Sequence, residues 1–209
     1  MRRVKYDDWE PIYQEICEYF SFDPAEDDRA AHILADLTTQ DATDLLKNLI
    51  AGEQVTVCGN APTLVQELDT ITGVIIAADA ASGVLIQHDI TPDVIVTDLD
   101  GIEDEAITLN KKGTILVVHA HGDNIPRIRT WVPRMKGPLV LTTQGKPFNH
   151  VYNFGGFTDG DRAVYLAYEM QASDVKLAGF DLDDPEVTPM KKGKLRWARK
   201  LLSLCSHEL

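Results

Sequence analysis

Apolar side chains recur at helical spacing through the first fifty residues. Trp9, Ile12, Tyr13, Ile16, Tyr19 and Phe20 form one stripe, Ile33, Leu34 and Leu37 a second, and Leu45, Leu46, Leu49 and Ile50 a third. Asp23-Pro24 offers an N-cap followed by proline at the first helical position, and Gly52 ends the third stripe. From Gln54 the rhythm changes to short runs, Val55–Cys58, Val74–Ala78, Val94–Thr97, Ile115–His119, Leu139–Thr142 and Val175–Gly179. They are rich in β-branched residues and apolar on both faces, as parallel strands covered by helices on each side must be. Helix signals lie between them at Pro62 to Leu68, Glu103 to Leu109 and Asp161 to Met170, and Lys191 to Leu204 reads as a basic amphipathic helix. The alternation predicts an α/β fold, an open, mainly parallel, doubly wound sheet of about six strands with a helical N-terminal extension. The expected division is a helical region over residues 1–52 and an α/β catalytic domain over residues 53–209. Packing alone accounts for the aromatic first helix; a homo-oligomer contact is the other expectation for it.

The chain has 209 residues, enough to bury a core without disulfides or structural metal. Its 20 Lys+Arg against 33 Asp+Glu give a net charge of -13. Such a field repels phosphate backbones and anionic lipid, so neither nucleic acid nor membrane is an expected partner. An anionic nucleotide is not excluded, because a divalent cation reverses the local sign. Cys17, Cys58 and Cys205 show no CxxC spacing and predict the reduced thiols of a cytoplasmic protein. Met1-Arg2-Arg3-Val4 has no apolar run behind it, so no signal peptide is expected.

Ligands of an open parallel sheet bind beyond the carboxyl ends of its strands. The residues just after the runs are repeatedly acidic or amide-bearing: Gly59-Asn60-Ala61-Pro62-Thr63, Asp79, Asp98-Leu99-Asp100-Gly101, His119-Ala120-His121-Gly122-Asp123-Asn124 and Gly179-Phe180-Asp181. A glycine after a strand with Pro62 opening a helix leaves backbone N–H groups for an anion, although an ordinary βα turn looks the same. Asp98 and Asp100, two apart off a strand end, can face one way and offer hard oxygen ligands suited to Mg²⁺; the bland alternative is one helix cap and one solvated acid. His121 and Asp123 fit phosphate or metal contacts better than zinc, for which no further Cys or His stands at ligand spacing. In Gly155-Gly156-Phe157-Thr158-Asp159-Gly160-Asp161-Arg162 the glycines permit close approach and Asp159 is the expected cap. Arg162 in a first helical turn opposes the helix dipole, which points to a ligand or carboxylate partner. No GxSxG elbow or HExxH motif is present.

Taken in order, Cys58-Gly59-Asn60-Ala61-Pro62-Thr63-Leu64, Pro92 to Gly101, His119 to Asn124, Gly156 to Ala163 and Gly179-Phe180-Asp181-Leu182 resemble the archaeal-type 6-hydroxymethyl-7,8-dihydropterin pyrophosphokinase family. The core is also similar to the catalytic domain of thiamin pyrophosphokinase. Asp98-Leu99-Asp100-Gly101 stands where that enzyme's Mg²⁺-binding Asp-Phe-Asp-Ser element lies. Ala78-Asp79-Ala80-Ala81 resembles its Ala-Asp-Gly-Gly element with both glycines replaced. The resemblance implies diphosphate transfer from ATP to the pterin alcohol, releasing AMP. Mg²⁺ is expected on Asp98 and Asp100, with Asp123 contributing and Asp79 a further candidate ligand. Asp98, Asp100, His121 and Asp123 are the expected catalytic set. Gly59, Asn60, Thr63, Asp79, Gly156, Asp159, Asp161, Arg162 and Asp181 are expected around the nucleotide and acceptor. The proton acceptor is His121 or Asp123. A thiamin-type or sugar-nucleotide-using transferase and a non-catalytic nucleotide-binding module are the competing readings.

Overall fold

The computed structural model describes residues 5–101 and 104–205. The basic N-terminal residues 1–4 and the expected helix start at Glu103 lie outside the described residues.

Three helices come first, α1 (Tyr6–Phe20), α2 (Pro24–Leu37) and α3 (Thr43–Ile50). Asp23 caps α2 by accepting the Ala25 N–H, with Pro24 in the first turn. The sheet follows: β1 (Gln54–Cys58), β2 (Val74–Ala78), β3 (Val94–Thr97), β4 (Ile115–Ala120), β5 (Leu139–Thr143), β6 (Val151–Tyr152) and β7 (Asp174–Ala178). These strands pair with one another in parallel, in the order β6-β5-β4-β3-β2-β1-β7. Among the described residues the sheet thus has seven strands. The strand missing from the sequence pattern, β6, is two residues long at a sheet edge, too short for any periodicity to register. Between and after the strands run α4 (Leu64–Glu67), α5 (Ala81–Gln87), α6 (Asp104–Lys112), α7 (Ile125–Trp131), α8 (Asp159–Glu169) and α9 (Pro189–Cys205).

Period-two alternation sends the strand side chains into two cores. Val55, Val57, Ile76, Val94, Val96 and Val117 face α1, α3, α8 and α9. Cys58, Ala77, Ile95, Leu116, Val118 and Leu141 face α2 and α4 to α7. The N-terminal helices thus join both layers: Trp9, Tyr13 and Ile16 are buried in the first core, Ala30, Ala31 and Leu34 in the second. All three cysteines are free and buried. Among the described residues no helix is long and apolar enough to cross a membrane.

This winding decides where a ligand fits. The chain leaves β1 toward α4 on one face of the sheet, and leaves the neighbouring β7 toward α9 on the other. Connections that diverge from adjacent strands open a crevice at their carboxyl ends. The same rim receives the ends of β2, β3 and β4 and the start of α8, which lies across β1, β2 and β3.

Candidate active site

Three carboxylates converge at the rim. Asp79 follows β2, Asp98 follows β3 and Asp159 opens α8, and one ligand atom from each lies within 4.8 Å of the other two. Asp79 is held in the left-handed region, φ 44°, with its N–H donating to Val96 O. Its Oδ1 accepts the Thr97 hydroxyl at 2.5 Å, so consecutive strands are tied through it. Burial, opposed by the Thr97 bond and reinforced by the Asp98 charge, pushes its carboxyl up to about 6. Burial and the charges of Asp98 and Asp79 outweigh Arg162 and hold the Asp159 carboxyl well above its ordinary range. Asp98 goes the other way. Burial alone would raise it, but the His121 hydrogen bond and the Arg162 charge bring it to about 2.

Arg162 explains its own unfavourable helix position. Its Nη1 donates to Asp159 Oδ1 at 3.0 Å from a largely buried side chain, supplying positive charge inside the acid cluster. The glycines before it make room: a Cβ on Gly156, φ 88°, would lie 2.6 Å from Arg162 Cα. The cap of α8 is Thr158, not Asp159. Thr158 and Asp161 form a capping box, and buried Asp161 accepts the Phe157 and Thr158 N–H groups at 2.9 and 2.6 Å. Asp161 thus shapes the loop from behind, its carboxyl pushed up to about 6 by burial despite the nearby Arg162 charge.

Asp98 and Asp100 do not face one way. The two-residue rule holds for extended chain, whereas Leu99 has φ 71° and is buried. Asp100 turns outward to pair with Arg127 at 2.8 Å. His121 Nε2 lies 3.4 Å from Asp98 Oδ2, and the His121 ring also accepts the Asn124 N–H in a capping box. Asp123 is exposed and stands apart from the three-acid cluster. His119 is a buried strand-end histidine beside Thr142, its basicity well reduced by burial and the Arg162 charge.

Two cavities meet at Asp159. One, about 450 Å³, is the crevice between β1 and β7, walled by Gly59, Asn60, Asp79, Asp159, Gly179, Phe180 and Asp181, with Lys191 and Lys194 of α9. The other, about 280 Å³, lies toward α2 and is walled by Phe22, Asp27, Asp98, His121, Asp123, Gln144, Phe157, Asp159 and Arg162, again with Lys194. Thr63 and Gly156 line neither. The β1 loop is also less free than its sequence suggested. Gly59 N–H donates to Ala178 O and Ala61 N–H to Gly179 O, because a Cβ on Gly59 would come within 2.6 Å of Gly179 O and glycine lets the loops touch. Asp27 and Gln144 are not singled out by the sequence pattern, and Lys194 stands there only as one residue of the basic amphipathic helix. Asp27 carried a signal: it falls on the stripe Asp27, Ala31, Leu34 that α2 buries.

A doubly wound α/β protein with a triad of acids between two cavities at its switch point is the class that fold and site define. The chain belongs to the MptE-like family, "6-hydroxymethylpterin diphosphokinase MptE-like", whose model matches residues 28–187. It is 40% identical to the 6-hydroxymethyl-7,8-dihydropterin pyrophosphokinase of Pyrococcus furiosus, over 95% of this chain and 93% of that one. The proteins of the same description from Methanocaldococcus jannaschii and Methanothermobacter thermautotrophicus are 37% and 34% identical, over 83% and 93% of this chain and 78% and 92% of theirs.

Proposed function

We propose that this protein transfers diphosphate from ATP to 6-hydroxymethyl-7,8-dihydropterin, releasing AMP, with Mg²⁺ as its metal ion. The observation that carries the reading is the acid triad of Asp79, Asp98 and Asp159 where two cavities meet, in a chain whose relatives bear that activity's name. The larger crevice suits the nucleotide, since Lys191 and Lys194 stand over it in an otherwise anionic protein. The smaller cavity is left for the acceptor.

The triad fits a hard divalent cation: three carboxylate oxygens, two of them on acids pushed up by burial and like charge, form a donor set that a cation relieves. Mg²⁺ held there by Asp79, Asp98 and Asp159 would neutralise charge developing on the transferred phosphates. Asp100 and Asp123, expected beside Asp98, have other roles in this reading: Asp100 anchors Arg127, and Asp123 faces the acceptor cavity. The hydroxymethyl oxygen attacks the β-phosphorus; the new O–P bond forms as the bond from that phosphorus to the α–β bridging oxygen breaks. The electron pair leaves on AMP. The hydroxyl proton passes to His121 or Asp123, which both wall the acceptor cavity. His121 and Arg162 orient Asp98 and Asp159, and positioning with charge neutralisation supplies most of the rate. We assign this work to the cytoplasm, where free cysteines persist.

The test is direct. Purified protein with ATP, Mg²⁺ and the dihydropterin should form AMP and pterin diphosphate in equal amounts, and Asp98→Asn should abolish both. Thiamin as parallel acceptor should give neither product. ATP binding without AMP formation from either acceptor would refute the assignment.

A further inference from the structure

The smaller cavity has a floor that the diphosphoryl chemistry does not use. Asp27 lies there at 7% exposure. Its Oδ1 accepts the Gly122 N–H at 2.8 Å and its Oδ2 accepts the Tyr13 hydroxyl at 2.7 Å. Both donors are neutral, and among the described residues no lysine, arginine or histidine forms an ion pair with this carboxylate. An ionised carboxylate offers about four lone-pair directions, so two still await donors. Burying such a group without a cation is costly, and a ligand that brings two N–H donors removes the cost.

The walls around Asp27 favour a flat ring. Phe157 is 6% exposed and Phe22 half-buried, their ring centroids 6.4 Å apart. Gln144 is 4% exposed, and its Nε2 makes only a long 3.4 Å bond to Phe157 O. The far end of the same cavity is Asp98 and Asp159. A heteroaromatic ring with two adjacent N–H donors on one edge, and the group to be modified on the opposite side, matches this polarity from end to end.

We propose that Asp27 is the acceptor-recognition carboxylate, receiving the 2-amino and N3–H donors of an aminopyrimidinone ring whose hydroxymethyl group then points at the acid triad. This rests on the diphosphotransferase reading above. It makes the N-terminal helices part of the binding site. Phe22 and Asp27 stand before residue 28, where the family match begins, and Tyr13 of α1 holds the carboxylate in place. Gly122 is required by the same contact: a Cβ there would lie 2.7 Å from Glu26 Cβ and push the β4 loop off α2.

The experiment measures binding of 6-hydroxymethylpterin by its fluorescence, with ATP affinity followed separately, and sets it against the analogue carrying a 2-oxo group in place of the 2-amino group. Wild type should prefer the 2-amino ring by at least about 100-fold, the worth of one to two hydrogen bonds to a charged group. Asp27→Asn should weaken pterin binding by at least about as much and abolish or reverse the preference, because the amide N–H can donate to the 2-oxo group, leaving ATP affinity within about twofold. Tyr13→Phe removes a local hydrogen bond but keeps the carboxylate, so it should retain the preference; a merely structural role for Asp27 would make the two variants alike. A wild-type protein that binds both rings equally overturns the proposal without any variant, as does an Asp27→Asn protein that still prefers the 2-amino ring. A wild-type protein that neither binds nor converts the pterin fails the diphosphotransferase reading itself, whereas normal turnover without discrimination fails Asp27 alone.

Discussion

Replacing Asp159 by asparagine should stabilise the metal-free protein and abolish its function. One oxygen of Asp159 lies within 4.8 Å of Asp79 and Asp98 oxygens, so each pair repels by about 3 kcal/mol or more at an effective dielectric of about 20. The Arg162 contact at 3.0 Å returns about 5 kcal/mol on the same scale, less than the two repulsions together. Asparagine removes the charge, keeps an oxygen for Arg162 and imitates the protonated acid that burial already favours. The expected gain is about 1 kcal/mol, or a Tm rise of about 2–4 °C for a chain of this length. The sign follows from linkage. A carboxyl raised in the fold costs stability at neutral pH, and below its ordinary value of 3.8 the wild-type group is neutral in both states, so the difference between the proteins should vanish there. The assay is paired thermal melts in chelator and in Mg²⁺, with AMP formation followed alongside. Wild type should rise with saturating Mg²⁺ by mass action, about 2.7 kcal/mol at a hundred times Kd, and Asp159→Asn should show almost none of it. A variant that melts lower in chelator, keeps the Mg²⁺ shift and still makes AMP would refute the reasoning.

Other outcomes follow from the same geometry. The Mg²⁺-induced shift of the wild type should grow as pH rises through about 6, because the metal must displace the proton that burial keeps on Asp79; melts in Mg²⁺ and chelator from pH 5 to 8 test this, and a pH-independent shift would exclude Asp79 as a ligand. Asp100→Asn should lose only the exposed pair with Arg127, about 0.2–1 kcal/mol, with turnover within about twofold; loss of AMP formation would restore Asp100 to the metal site. Gly59→Ala should cost about 1–3 kcal/mol in urea melts and weaken nucleotide binding, since the new methyl meets Gly179 O and the Phe180 ring. Arg162→Gln should leave three acids without their buried cation, raising the Asp98 carboxyl and lowering metal-free stability, which chemical denaturation at pH 7 would register.

The sequence by itself determined the layer architecture, because helix and strand periodicities are local. The three N-terminal stripes and all six apolar runs fall on elements of the structure, and only the two-residue β6 lay below what periodicity resolves. The order of motifs along the chain likewise carried the family. Local pattern could not say which rim carboxylates meet. The regular alternation that suggested Asp98 with Asp100 fails at one left-handed residue, Leu99, and no rule of composition announces that φ. Asp79, Asp98 and Asp159 come together only because the strand order sets β2 beside β3 and α8 crosses both, joining residues up to eighty positions apart. Arg162 showed half of its role: a cation where the helix dipole resists one announced a carboxylate partner, while its identity as Asp159 waited on the turn of the loop. Asp27 was the hardest to see, an acid among acids in α2. Its helical position marked it for burial, but only the packing of α2 against the β4 loop shows the Gly122 N–H on one oxygen, Tyr13 on the other and a cavity in front.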